Sequence, residues 1–113
     1  WDEGTVTFIP YWTNTGGAST QTVQWGLSAT AISNDDSMTG SWGSNATSTD
    51  TWLAQNDLHI GPESGALTIG GTPAESDLVA FQVTRVVASD NMAGDAILLG
   101  IKLLITYNAG NDA

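Results

Sequence analysis

The chain has a single histidine, His59, and a Ser-His-Asp type of chemistry would need this residue as its general base. Its neighbours Leu58 and Ile60 are apolar, which places the histidine on the polar side of a short strand. One imidazole without a cluster of other ligands also makes a poor metal site. The sequence therefore predicts a surface or interface histidine and no catalytic residue.

Two oxygen-rich turns are the next candidates, one at residues 34–36 and one at residues 90–95. Carboxylate and carbonyl oxygens from such loops can hold a hard cation such as calcium. Neither turn follows the spaced Asp-x-Asp-x-Asp-Gly pattern, and Asn and Asp are also ordinary turn residues because their side chains bond the local backbone. Nothing marks a pair of glycosidase carboxylates either. We expect no metal, no cofactor and no enzymatic activity.

Five tryptophans in 113 residues favour one rival class, a sugar-binding module, because indole faces stack on sugar rings. Trp12 and Trp25 share strand faces with apolar residues and are expected in the core, while Trp52 fits either the core or an interface. A platform in the polar stretch of residues 34–51 would use Trp42, with Asn34, Asp35, Asp36 and Asn45 as hydrogen-bonding partners. The alternative is that Trp42 packs this stretch onto the core or onto a neighbouring subunit.

Arg85 and Lys102 are the only two cations of the chain, and both lie within apolar stretches. An unpaired buried charge is very unfavourable, so each is expected to pair with a carboxylate of the same or a neighbouring subunit. The fork of the Arg85 guanidinium suits a two-pronged bond to Asp77, Asp90 or Asp95. We interpret Arg85 as structural.

The elements that position these residues are dominated by two apolar stretches, 78–87 and 96–108. Both carry apolar residues on both faces of the strand alternation, which is typical of strands that are covered twice. In so small a domain, one face of these strands packs on the domain's own core, and a second copy of the chain is the simplest way to bury the other face. The predicted oligomer interface consists of Val79, Phe81, Val83, Arg85, Leu99, Ile101 and Leu103.

The rest of the chain reads as short strands separated by Gly, Pro and Asn turns. Residues 4–12 and 20–32 alternate, and Pro10 places the first strand at a sheet edge or at a bulge because proline cannot donate to the ladder. Residues 52–60 and 66–69 are predicted as further short strands, and residues 34–51 as an ordered excursion without strand alternation. This pattern predicts an all-β fold, an antiparallel β-sandwich of jelly-roll type, as one domain over residues 1–113.

The amino-acid composition limits the classes of partner and the kinds of chemistry that the chain can have. Twelve acidic residues against two cations give a net charge of −10, which makes nucleic acid and anionic membranes poor partners. Without cysteine there is no disulfide framework and no thiolate chemistry. Charged residues make up only 12% of the chain, as in many β-rich extracellular or particle proteins.

Several segments resemble a family of small proteins encoded among the virion genes of tailed bacteriophages. The similarity rests on residues 57–60, 66–85 and 92–102, on the opening Trp1-Asp-Glu-Gly-Thr-Val-Thr7, and on Val23-Gln-Trp-Gly26. In that family further strands normally precede the opening turn, which implies that this chain is a C-terminal fragment. The resemblance implies a virion appendage or surface protein, and it carries no catalytic motif.

These observations together predict a homotrimeric structural module on the virion surface, either a tail fibre or receptor-binding tip or a capsid spike or decoration. Its partners would be its own copies, other virion proteins and a host surface glycan. A free carbohydrate-binding module is the alternative.

Overall fold

The computed structural model describes residues 5–38 and 42–106. Its strands are β1 (Val6–Asn14), β2 (Thr22–Ile32), β3 (Ala46–Thr51), β4 (His59–Ile60), β5 (Ile69–Gly70), β6 (Leu78–Arg85) and β7 (Ala96–Ile105). One 3-10 turn, Val87–Ser89, follows β6. The described part of the chain contains no helix that is long and apolar enough to cross a membrane. The predicted all-β class is confirmed.

Sheet A has three antiparallel strands in the order β4-β1-β7. The pairing of β1 with β7 runs from Val6 opposite Ile105 to Asn14 opposite Ala96. The register shifts between Tyr11 and Trp12, which leaves Leu99 as the extra residue of a bulge. The bulge lies in β7, and Pro10 itself pairs in register with Ile101, so the alternative prediction of a bulge in β1 at Pro10 is wrong. The predicted edge position is wrong, because β1 is the central strand.

Sheet B is built around β2. Strand β6 pairs antiparallel with residues 25–32 of β2, while β3 pairs antiparallel with residues 22–27 and β5 pairs parallel with residues 29 and 30. Because β6 overlaps both shorter pairings, β3 and β5 must lie together on the other side of β2. Strands β6 and β7 are thus the edge strands of their sheets, and no further strand pairs with them among the described residues.

The two sheets pack face to face about one core, as in a β-sandwich. Strand β1 contributes Val6, Phe8 and Trp12, and strand β2 contributes Val23, Trp25, Leu27 and Ala29. These are the inward positions of the two alternating patterns, so the predicted faces of both strands and the core positions of Trp12 and Trp25 are confirmed.

Three other predictions about the strands are wrong. Residues 34–51 do contain a strand, β3, whose inward residues Ala46 and Ser48 are too small or polar to produce a hydrophobic alternation. Of the predicted strand 52–60, only His59 and Ile60 form a strand, β4. Of the predicted strand 66–69, only Ile69 does, as part of the two-residue β5. Residues 53–58 instead form an irregular loop that is fastened by side-chain hydrogen bonds.

Candidate functional site

His59 lies in the interior, so the prediction of a surface or interface histidine is wrong. Only 2% of the residue is exposed, and its ring stacks on Trp12 with 4.3 Å between ring centroids. The Leu53 N–H donates to Nε2 at 2.9 Å, which requires Nδ1 to carry the proton that the Asp57 carbonyl accepts at 3.0 Å. With both ring nitrogens engaged, His59 holds the 53–58 loop on the sandwich and has no free nitrogen for a substrate.

A polar cluster beside His59 fixes the same loop. The Trp12 indole donates to Asp50 at 3.0 Å, and the Trp52 indole donates to the buried Asn14 side chain at 2.9 Å. Asn14 in turn donates to the Ala54 carbonyl at 3.1 Å. Trp52 is half-buried and packs against the core, so this tryptophan serves the fold. No sequence signal links these residues, because the contacts span 38 to 40 positions.

Arg85 makes the ion pair that the sequence predicts, with Asp90. Its Nε donates to Asp90 Oδ2 at 2.8 Å and its Nη2 donates to Oδ1 at 3.2 Å, so the bond is two-pronged. The guanidinium also donates to the carbonyls of Met92, at 2.7 Å, and Gly94, at 3.1 Å. Met92 is buried in the core. Arg85 therefore closes the connection between β6 and β7 over one end of the sandwich.

Two of the oxygen-bearing side chains in this connection are engaged within the chain. The Asp90 carboxylate is occupied by Arg85, and the Asn91 side-chain oxygen accepts the Thr22 N–H at 2.6 Å. Within residues 5–38 and 42–106, no three His, Cys, Asp or Glu side chains gather into a group that could hold a metal ion.

The predicted ligand-binding residues Trp42, Asn34, Asp35, Asp36 and Asn45 are all exposed. Trp42 has 44% of its surface exposed. Residues 34–36 form a turn beyond the end of β2, in which the Ser33 N–H donates to Asp36 at 3.0 Å. Gly43, beside Trp42, donates to the Ala29 carbonyl, several residues back along β2. Residues 39–41 of this stretch lie outside the described residues.

The predicted interface residues fall into three groups. Val79, Val83 and Ile101 pack against the core from the inner faces of β6 and β7, and Arg85 is engaged by Asp90. Phe81 and Leu103 also lie on inner faces but remain exposed, and Leu99 is exposed at the bulge. The described residues therefore leave Phe81, Leu99 and Leu103 without full cover.

Phe81 and Leu103 line an open cleft of about 220 Å³ between the two edge strands. The other lining residues are Val6, Ile69, Val79 and Ile105, so every lining side chain is apolar. Small-molecule sites usually exceed about 300 Å³ and include a few polar groups. This cleft has the size and chemistry to accept apolar side chains of another polypeptide.

The sequence analysis missed Val6, Ile69 and Ile105 as cleft residues. Val6 and Ile105 are direct partners across β1 and β7, and Ile69 belongs to the short β5. Only the pairing of distant strands brings them together, although the apolar end of residues 96–108 was a partial signal.

Comparisons of the chain with family models, with curated proteins and with solved structures find no match. The resemblance to virion proteins of tailed bacteriophages stays a prediction.

Proposed function

We propose that this chain is a structural module of a bacteriophage particle, and that it works as a homotrimer on the virion surface. The phage setting is inferred from the sequence resemblance. Self-association is inferred from one structural observation, the apolar side chains that β6 and β7 leave exposed. These include Leu78, Phe81, Ile97, Leu99, Leu103 and Ile105.

The two edge strands support this proposal because they lack the usual protection. Exposed edges normally carry charges, prolines or interruptions that prevent pairing with another chain. Strand β6 has no proline and one charge, Arg85, which is already paired with Asp90. Strand β7 has one lysine in ten residues. Such edges favour association, and a specific neighbouring copy would cover them.

Within this proposal the module has a mechanical role. Apolar strands from each copy supply a trimer core, and the acidic loops face solvent, other virion proteins and a host surface glycan. A jelly-roll arrangement is part of the proposal, and it is supported by the chain crossing between sheets from β1 to β2, from β3 to β4, from β4 to β5 and from β6 to β7. Two placements fit, a tail fibre or receptor-binding tip and a capsid spike or decoration.

Two experiments test the proposal. Sedimentation velocity at micromolar concentration should give the mass of three chains, and a stable monomer would refute self-association. Antibody labelling of purified virions of the phage that encodes the chain should mark either the tail or the capsid surface. Intact particles without label would refute the virion role.

A free carbohydrate-binding module is the second candidate, and the exposure of Trp42 favours it. The exposed Trp42 indole could stack on a sugar ring while amide and carboxylate groups bond the sugar hydroxyls. A glycan array separates the two candidates. If the isolated chain binds a glycan and the Trp42→Ala variant does not, the result would support a carbohydrate-binding module.

A further inference from the structure

The outer face of sheet A, the face turned away from sheet B, is largely apolar. Residues directly opposite in an antiparallel pair share a face. The β1 positions between its buried residues therefore group with their partners as Thr7 with Leu104, Ile9 with Lys102, Tyr11 with Ile60 and Gly100, and Thr13 with Ile97. Ile60 is 56% exposed, and Ile97 is also exposed. Exposed apolar side chains grouped on one face of a sheet favour contact with another protein surface.

The outer face of sheet B is different. Most of its exposed positions carry hydroxyl or amide groups, at Thr47, Thr49, Gln82 and Thr84, and the exposed Leu78 lies at one end of this face. Gln24 donates to the Thr49 hydroxyl at 2.9 Å, so neighbouring strands of this face are joined by polar bonds. Sheet B suits contact with water, and sheet A is the sheet whose outer face needs cover.

Charge on sheet A points to the kind of partner. Lys102 is the only charged residue in β1, β4 and β7, and among the described residues it makes no ion pair. The partner should therefore bring an apolar surface with a carboxylate at its edge. A chain with a net charge of −10 can supply that carboxylate itself.

Glu63 is placed to do so. Gly61 donates to the Pro10 carbonyl and Ser64 donates to the Phe8 carbonyl, so the segment between them runs along the free side of β1. Glu63 is exposed there, at the level of Ile9, and Lys102 lies opposite Ile9 on the other side. The two charges thus stand at one level on opposite edges of the same sheet.

Within one copy these charges are separated by two strand spacings, roughly 10 Å between backbones. Between copies they can meet. Copies related by rotation about an axis parallel to the strands have each residue at the same height along that axis. The β7 edge of one copy can therefore face the Glu63 edge of the next copy. Such a head-to-tail contact closes into a ring if the rotation is one third of a turn.

We propose that neighbouring copies of this chain associate through the outer face of sheet A, with Lys102 of one copy paired to Glu63 of the next. The inference rests on the proposed homotrimer and assigns it the outer face of sheet A, a contact that leaves the β6 edge and the cleft side chains Phe81 and Leu103 uncovered. Ile9, Tyr11 and Leu104 lie on the face that becomes buried, and the exposed Ile60 beside Glu63 packs on the neighbouring β7.

Charge reversal tests the contact. Lys102→Glu and Glu63→Lys should each raise the dissociation constant of the oligomer on the order of a hundredfold, because like charges then face each other across the interface. The double variant Lys102→Glu/Glu63→Lys restores an opposite pair at the wild-type net charge, and it should regain most of the affinity. Glu75→Lys, an exposed residue before β6, makes the same charge change as Glu63→Lys and should leave assembly unchanged.

Sedimentation of the full chain, with circular dichroism to confirm that each variant is folded, separates the outcomes. Recovery in the double variant, with Glu75→Lys unaffected, supports the contact. Wild-type assembly in both single variants, or no recovery in the double variant, overturns it and leaves the proposed trimer standing. A monomeric wild-type chain overturns both.

Discussion

Replacement of Arg85 by methionine should destabilise the fold by about 3 kcal/mol. The substitution keeps much of the side-chain volume and removes all four hydrogen bonds that the guanidinium donates, two to Asp90 and one each to the carbonyls of Met92 and Gly94. The Asp90 side chain is only 3% exposed, so its carboxylate would lose its charged partner in a place that water hardly reaches. Removing one member of a buried pair costs about 3–5 kcal/mol, whereas an exposed pair contributes about 0–1.

The lower end of the buried range applies because the Arg85 side chain is 21% exposed. In a domain of this size, a loss of about 3 kcal/mol corresponds to a fall in Tm of roughly 10–15 °C. Urea unfolding followed by tryptophan fluorescence measures the free energy directly. All variants must be compared at one protein concentration, because any association makes apparent stability depend on concentration.

A double-mutant cycle assigns the loss to the pair. Asp90→Asn removes the buried charge, so Arg85→Met should cost less in that background, with a coupling of about 1–3 kcal/mol. Gln82→Ala, an exposed substitution in the same strand, should stay within about 0.5 kcal/mol of wild type. If Arg85→Met also stayed within that range, the bonds around the guanidinium would contribute nothing, and the interpretation of Arg85 as the closure of this connection would be refuted.

Three further substitutions probe the loops by urea unfolding. His59→Phe keeps a ring to stack but removes the partners of the Leu53 N–H and the Asp57 carbonyl, whose bonds to the ring are part-buried, and it should cost about 1–3 kcal/mol. An unchanged free energy would contradict the structural role of the imidazole. Gly17→Ala places a Cβ 2.7 Å from the Trp52 ring and should cost about 1–3 kcal/mol, whereas Gly65→Ala, with no atom within 4 Å, should be near neutral; equal effects would contradict the predicted clash. Trp42→Ala should change the free energy of unfolding by less than about 1 kcal/mol because the indole is 44% exposed, and a loss near 3 kcal/mol would show that it packs the fold.

The parts of the fold that could be predicted from the sequence are those where hydrophobic alternation decides the structure. Val23, Trp25 and Leu27 point inward in β2 as the pattern predicts, and the two apolar stretches became the long strands β6 and β7. Strand β3 was not predicted because its inward residues include Ser48, whose hydroxyl donates to the Pro62 carbonyl at 2.5 Å. A buried polar contact of this kind leaves no periodic apolar signal.

His59 shows a different limit. Its apolar neighbours Leu58 and Ile60 are more than half exposed, while the histidine is buried. Here the apolar residues face solvent and the polar residue faces the core, the reverse of the usual arrangement in a strand. Two things make the exchange possible, the stack on Trp12 and the backbone partners that engage both ring nitrogens, and both depend on contacts that the local sequence does not contain. Hydrogen bonds to both ring nitrogens compensate the loss of water and allow the imidazole to be buried.

The distribution of charge explains how so acidic a chain could still associate. Among the seven strands, Asp50 is the only carboxylate, and its side chain accepts a hydrogen bond from Trp12. The other described acids lie in the connections between strands, with Asp77 and Asp95 directly before β6 and β7. The repulsion that accompanies a net charge of −10 is therefore concentrated on the loops. Strands β1, β4, β6 and β7 carry no carboxylate, so contact through these strands is the association that the charge distribution opposes least.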